Sequence, residues 1–420
     1  MNLRPILPPA VLTSAVLASL TVAATAQAQT ARGARAASDQ PVTAKISPVT
    51  NADPASTTAA TSPVGFMTTA CLANTDTNLT IPFTRPAAFV GAATSGANAA
   101  NNTGTITFSG TPFTASAYKY VQGTQATHYY AYVTGGTKEG AIYDIADNTA
   151  NSLTINTNGD SINTLASGTQ VRIIPHWTLA TAFTVGQSVI GATTFVNAPT
   201  QILVPDQATA GTDLVAAATY FYYSGTAAGG PGWRRLGGTF SAIYDDTVLY
   251  PETYFVLRNN TASNLSFVPV GSVSTLSAAV TSSSAQTVGV NVATVLNTLA
   301  ANTDQDNAIG LPVAVDTTLD GSNLYQSGAF TGQSVFFGGT GDQLLVYDNT
   351  ASGTDKAASK TYFYYNGSAA GGAGWRQLGE PFTALHNTDV LKAGAGFIVR
   401  KRGTATPTSV VWNYRPIITP

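Results

Sequence analysis

The sequence predicts an all-β chain: two related sandwich-like units, with a small barrel-like β module inserted into the first. Three observations point there. Short runs rich in β-branched and aromatic residues recur along the chain, bounded by Gly, Asn, Asp and Ser. Long stretches with the 3.6-residue period of an amphipathic helix are missing. Residues 201–258 and 343–400 also align without a gap, with identity at 29 of 58 positions.

From the N-terminus, Arg4 precedes an apolar stretch from Ile6 to Ala24, and Ala26, Gln27 and Ala28 fit a small-x-small cleavage site. Residues 1–28 therefore read as a secretory signal peptide. Residues 29–62 are rich in Ala, Ser, Thr and Pro without periodicity. They bury too little apolar surface to offset ordering entropy and read as a disordered linker. The first unit is placed at 63–272 and the second at 286–420. Thr219 to Tyr223 recurs as Thr361 to Tyr365, Gly232-Trp-Arg234 as Gly374-Trp-Arg376, and Phe255 to Arg258 as Phe397 to Arg400. Half identity over such a span, with the Trp in register, indicates a duplicated unit. The first unit is longer between Arg85 and Phe183, so the inserted module is placed at about 95–178, in a loop of a rigid scaffold. Its short alternating runs, such as Thr105 to Phe108 and Tyr129 to Val133, predict a small barrel. A few short helical pieces are allowed for, 293–300 among them.

Composition narrows the function classes. Only 10% of residues are charged, against roughly 25% in an average domain. With 19 basic and 21 acidic residues there is no basic face for nucleic acid. The single Cys71 cannot form an internal disulfide, and three histidines leave little material for a zinc cluster. After cleavage of the leader no membrane span is expected, and the chain is exported to the extracellular space or cell envelope.

Each candidate for chemistry has a plainer reading beside it. Gly229-Gly-Pro-Gly232 and Gly371-Gly-Ala-Gly374 resemble phosphate loops, but each leads into a strand and reads as a hairpin loop. Ser188 lies near a Gly-x-Ser-x-Gly pattern that is one residue too long, and the only later histidine is His386. Asp245, Asp246 and Glu252 would be the pair-forming carboxylates of a glycan hydrolase. The second unit has Asn387, Thr388 and Gly394 there, which favours a solvated loop. Asp206, Asp348, Asp213 and Asp355 recur at strand ends and read as turn formers. Asn302, Asp304 and Asp306 alternate like calcium ligands, without the Gly and Glu that a calcium loop carries. Calcium apart, no cofactor is implied and no catalytic residue is assigned.

The aromatics remain. Tyr220, Tyr222, Trp233, Tyr362, Tyr364 and Trp375 would stack on sugar rings if exposed; the plainer reading makes the tryptophans core anchors, with Arg234 and Arg376 covering an edge. The expectation is a non-enzymatic structural or adhesive protein whose partners are polysaccharide, envelope components or other copies of itself. A carbohydrate-binding module is the alternative, and a hydrolase the remoter one.

The chain also resembles a family of exported bacterial proteins that occur as several paralogues per genome. The likeness rests on Pro63-Val-Gly-Phe66, Arg85-Pro-Ala-Ala-Phe89, Lys138-Glu-Gly140, Asn148-Thr-Ala-Asn151, Ile174-Pro-His-Trp-Thr-Leu179 and the repeated aromatic blocks. It implies an envelope or extracellular setting and a non-catalytic role, and it assigns no site residues.

Overall fold

The computed structural model describes residues 64–273, 287–288, 292–336, 339–369, 371–415 and 417–418. The leader and the linker expected before residue 63 lie outside them.

The fold is all-β. In the first unit a five-stranded antiparallel sheet runs, in spatial order, Gly232–Arg235, Ala218–Tyr223, Thr200–Val204, Phe255–Asn259, Thr75–Leu79. The second unit repeats that order with Gly374–Gln377, Lys360–Tyr365, Gln343–Val346, Gly396–Lys401 and Gln305–Gly310. Registers match as well: Tyr222 lies opposite Trp233, and Tyr364 opposite Trp375. Two short ribbons cover one face of each sheet. They are Thr69–Cys71 with Leu265–Phe267 and Trp177–Thr178 with Val248–Leu249, then Val292–Asn297 with Ser409–Tyr414 and Thr317–Thr318 with Val390–Leu391. The helical piece expected at 293–300 is thus a strand. Thr294 and Leu296 are both buried, a period of two that suits pairing with Ser409–Tyr414 and not a helix.

Between sheet and ribbons lie the two cores. Trp233 packs among Phe183, Ile202, Phe255 and Leu257, and Trp375 among Phe330, Leu344, Phe397 and Val399. On the opposite face, Phe195 stacks on Tyr223 at 4.4 Å between ring centres and Phe336 stacks on Tyr365 at 4.3 Å. Both faces of the Tyr-Phe-Tyr-Tyr strands are therefore covered.

The inserted module is a closed six-stranded barrel in the order Phe89–Asn98, Thr103–Phe108, Ser152–Asn156, Ile142–Asn148, Tyr129–Val133, Gln170–Pro175. Its first strand starts at Phe89, ahead of the boundary expected near 95, and its last ends at Pro175. Ile106, Leu153, Ile155, Val171 and Ile173 are fully buried inside, so the interior is a packed core. Gly96 is needed where the 162–165 segment crosses its strand, because a Cβ there would lie 2.4 Å from the carbonyl oxygen of Ile162. Among the described residues no helix is long and apolar enough to cross a membrane.

The two units meet through reciprocal contacts, the mark of an isologous interface. Asp76 N donates to Gly353 O at 2.9 Å, and its counterpart Asp306 N donates to Gly211 O at 3.1 Å. Thr80 N donates to Gly394 O, and Gly310 N to Glu252 O. Single bridges Leu79–Ala395 and Thr253–Ile309 form a further matched pair. Tyr254, Ala308, Leu345 and Ile398 make a small apolar cluster between the sheets. Matching positions meet each other at the local two-fold axis: Tyr254 packs on Gly396, and Thr80 on Gly310.

Candidate functional site

Most of the aspartates and arginines singled out in the sequence have partners that explain them. Asp76 lies opposite Arg258 across paired strands, and Asp306 lies opposite Arg400. Arg258 donates to both oxygens of Asp76 at 2.8 Å and to Asp355, in the other unit, at 2.6 Å. Arg400 donates to Asp306 at 2.7 and 3.0 Å and to Asp213, again from the other unit, at 2.9 Å. The clamps close with Asp355 N donating to Asp76 and Asp213 N donating to Asp306. Both guanidinium groups are held above their usual pKa, chiefly by the hydrogen bonds they donate to Asp76 and Asp306. Asp213 and Asp355 do sit at positive φ (52° and 50°), as turn formers would. Their recurrence has the further cause that each reaches across the seam. Asp206 and Asp348 match the plainer reading, each accepting from backbone N–H groups two or three residues on.

The three residues of the calcium pattern do not converge. Asp304 bonds Arg402 and the Gly403 amide, Asp306 belongs to the Arg400 clamp, and Asn302 occupies a turn at φ 53°. The alternation 304/306 answers an alternation of Arg400 and Arg402 on the neighbouring segment, so the charge a cation would neutralise is already neutralised. Among the described residues no group of three or more His, Cys, Asp or Glu is placed to hold a metal.

Asp245, Asp246 and Glu252 separate in space. Asp245 accepts from the Trp233 amide at 2.8 Å, and Asn387 does the same for Trp375, so this position belongs to the shared scaffold after all. Burial raises the Asp245 pKa, against that hydrogen bond and nearby Arg234. Asp246 bonds the Tyr120 hydroxyl of the barrel. Glu252 is buried at the junction of barrel, first unit and second unit, beside Tyr130, Thr294 and Pro312.

Of the six aromatics expected as a stacking surface, Tyr220, Trp233, Tyr362 and Trp375 are at most 3% exposed, and the core reading replaces the exposed one for them. Tyr222 and Tyr364 are half-buried; Tyr364 lies flat on Tyr325 at 3.5 Å, and Tyr222 sits edge-on to Trp233. Arg234 and Arg376 do not cover an edge. Each is about 1% exposed, with its guanidinium facing Tyr223 or Tyr365 and donating to loop carbonyls, those of Ala228, Gly230 and Phe240 in the first unit. The Gly-rich segments are hairpin loops, held shut by these buried arginines.

One ionisable cluster had no sequence signal, because its members come from distant segments. Where the barrel meets the first unit, His176 Nε2 lies 3.0 Å from Asp144, and the Tyr250 hydroxyl approaches the same carboxylate at 3.5 Å. His128 stacks on Tyr120 at 3.7 Å, and Arg85 donates to the His176 carbonyl. Burial, then the neighbouring His176, push His128 down to about 4. A His–Asp pair is two-thirds of a hydrolytic triad. Here His176 is 2% exposed, and among the described residues no hydroxyl or thiol is bonded to its buried Nδ1. Ser188 is buried in the first unit, while His386 belongs to the second and pairs with Asp389. The cluster links the barrel to the first unit through Asp144–Tyr250 and Tyr120–Asp246.

Comparison with models of protein families, with curated proteins and with solved structures finds no match to this chain.

Proposed function

We propose that the chain is an exported, non-catalytic protein of the cell surface or extracellular space, with a structural or adhesive role, built on a duplicated unit. One observation carries this reading. Of the charged residues that recur between the two units, Arg258 with Arg400 and Asp213 with Asp355 go into joining the units, and Arg234 with Arg376 into closing loops within them. Asp76 and Asp306, paired with Arg258 and Arg400, also join the units. The product is a rigid block whose surface carries little charge and many hydroxyl and amide groups, suited to contact with polysaccharide or envelope components through shape and neutral hydrogen bonds.

The test is retention of the purified chain on immobilised polysaccharides and on isolated envelope fractions, at low and at high salt. Saturable retention that changes little with salt is expected, because screening weakens only charge-driven contacts. Release of reducing sugar from any of these polymers would overturn the non-catalytic reading, and retention abolished by salt would overturn the neutral-contact reading.

A further inference from the structure

We propose that the first unit binds one neutral pyranose ring, a terminal or branch sugar of a glycan, in a cavity whose counterpart in the second unit carries a lysine–aspartate pair. This rests on the adhesive reading above and names its ligand class.

A cavity of about 270 Å³ lies between the 204–209 turn, strand Ala218–Tyr223 and the 247–255 stretch. Tyr220 and Phe255 form its apolar floor with Leu249, and Tyr250 flanks it. The exposed rim includes Ala208, Thr209 and Ala217. What the shared scaffold otherwise puts there is visible in the second unit. At the position of Ala218 stands Lys360, and at the position of Thr247 stands Asp389. Lys360 Nζ lies 5.8 Å from the centre of the Tyr362 ring and 3.0 Å from Asp389, which also accepts from the Tyr362 hydroxyl at 2.5 Å. The counterpart of Tyr362 is Tyr220. Replacing the lysine by alanine and the aspartate by threonine thus removes this half-exposed ion pair, a partial plug, from beside the tyrosine.

The emptied space has the features of a ligand site: concave, mostly apolar, with a few polar groups at the edge. Its volume is just under the roughly 300–1,000 Å³ of drug-sized pockets, which limits the occupant to about one ring. Tyr220 and Phe255 are closed off in the core beneath the cavity, and half-buried Tyr250 at its side is the ring that can meet the C–H face of a sugar. Threonine hydroxyls, Arg235 and Asp206 line the same space, so donors and acceptors of both signs are at hand with no net charge. An anion would meet Asp206 and a cation would meet Arg235; a neutral polyol can use both.

The relation between the units supplies the test. Saturation-transfer NMR is run on the full chain with four probes: the methyl glycosides of glucose, galactose, mannose and N-acetylglucosamine. The double variant Ala218→Lys/Thr247→Asp installs the second unit's plug on a scaffold that already holds it elsewhere. The reverse variant Lys360→Ala/Asp389→Thr empties the second site. Expected are transfer from at least one glycoside to the wild type, a loss of at least about tenfold in affinity on plugging, and added binding on unplugging. A cooperative thermal transition in each variant establishes that it is folded. No transfer from any of the four probes, or transfer unchanged by the plug, overturns the cavity assignment. Polysaccharide retention measured in parallel separates the two readings: if it survives while the cavity assignment fails, the adhesive role stands without this site.

Discussion

Removing one carboxylate from the seam should cost several times more than removing the other, although both touch the same arginine. Asp76 receives two parallel N–H bonds from Arg258 and a backbone N–H from Asp355, and its side chain is only 8% exposed. Asp355 makes one bond to the same guanidinium, and its side chain is 80% exposed. Breaking a fully buried pair costs about 3–5 kcal/mol. Arg258 is 21% exposed and keeps some access to water, so Asp76→Ala is expected to cost about 2–3 kcal/mol. Asp355→Asn, which tolerates the left-handed backbone there, should cost less than about 1 kcal/mol. With a denaturant slope near 3 kcal/mol/M, the urea midpoint falls by about 1 M in the first case and hardly in the second. The same inequality should hold for Asp306→Ala against Asp213→Asn. Calorimetry adds a second readout: if the clamps couple the units, the wild type melts in one transition and Asp76→Ala/Asp306→Ala splits it in two. Equal losses from Asp76→Ala and Asp355→Asn would refute the assignment of the clamp's strength to the buried, bidentate contact.

Further outcomes follow from other positions. Gly396→Ala puts a Cβ 2.4 to 2.8 Å from ring and Cβ atoms of Tyr254 and should destabilise by about 1–3 kcal/mol; combined with Tyr254→Ala it should show a coupling of about 1 kcal/mol or more in a double-mutant cycle. His128 stays neutral in the fold down to about 4, against 6.5 when unfolded, so stability is full above about pH 6.5 and falls as the pH drops towards 4. The groups around it are His176, Asp246 and Asp144, and the loss should reach about 2–3 kcal/mol. Urea midpoints at about pH 7 and about pH 4.5 check this; an identical pH dependence in His128→Asn would count against it. The Cys71 thiol is buried and pushed up to about 11 by that burial, so iodoacetamide at about pH 8 should label it only after unfolding in guanidinium chloride.

Much of the fold was legible from local pattern. Thr219 to Tyr223 and Gly232 to Arg234 announce a hairpin through β-branched and aromatic residues around a Gly-rich loop, and the tryptophans sit in the cores as large apolar residues should. What escaped depended on register between distant segments. The alternation of Asp304 and Asp306 looks like a ligand ladder until Gly396–Lys401 is laid beside it and Arg400 and Arg402 fall opposite. Arg234 read as a surface residue because arginine is rarely buried; its burial is allowed only because loop carbonyls at 228, 230 and 240 accept its donors. Phe195 and Phe336, which cover the second face of the aromatic strands, lie in irregular loops that carry no periodic signal. The barrel's true start at Phe89 was hidden because Phe89 to Asn98 runs through small residues whose strand pairing is fixed by Gln170–Pro175 and Thr103–Phe108.

The unequal pairs at the local axis restrict what this chain can assemble with. Two first units brought together in the same way would oppose Tyr254 to Tyr254 and Thr80 to Thr80, in a space that accommodates one large residue and a bare backbone. Two second units would leave Gly396 facing Gly396 and a void between the sheets. Only unlike halves fit, and each chain already contains one of each. The seam is therefore taken up within one chain, and growth into strings or fibres by like-with-like pairing there is blocked sterically.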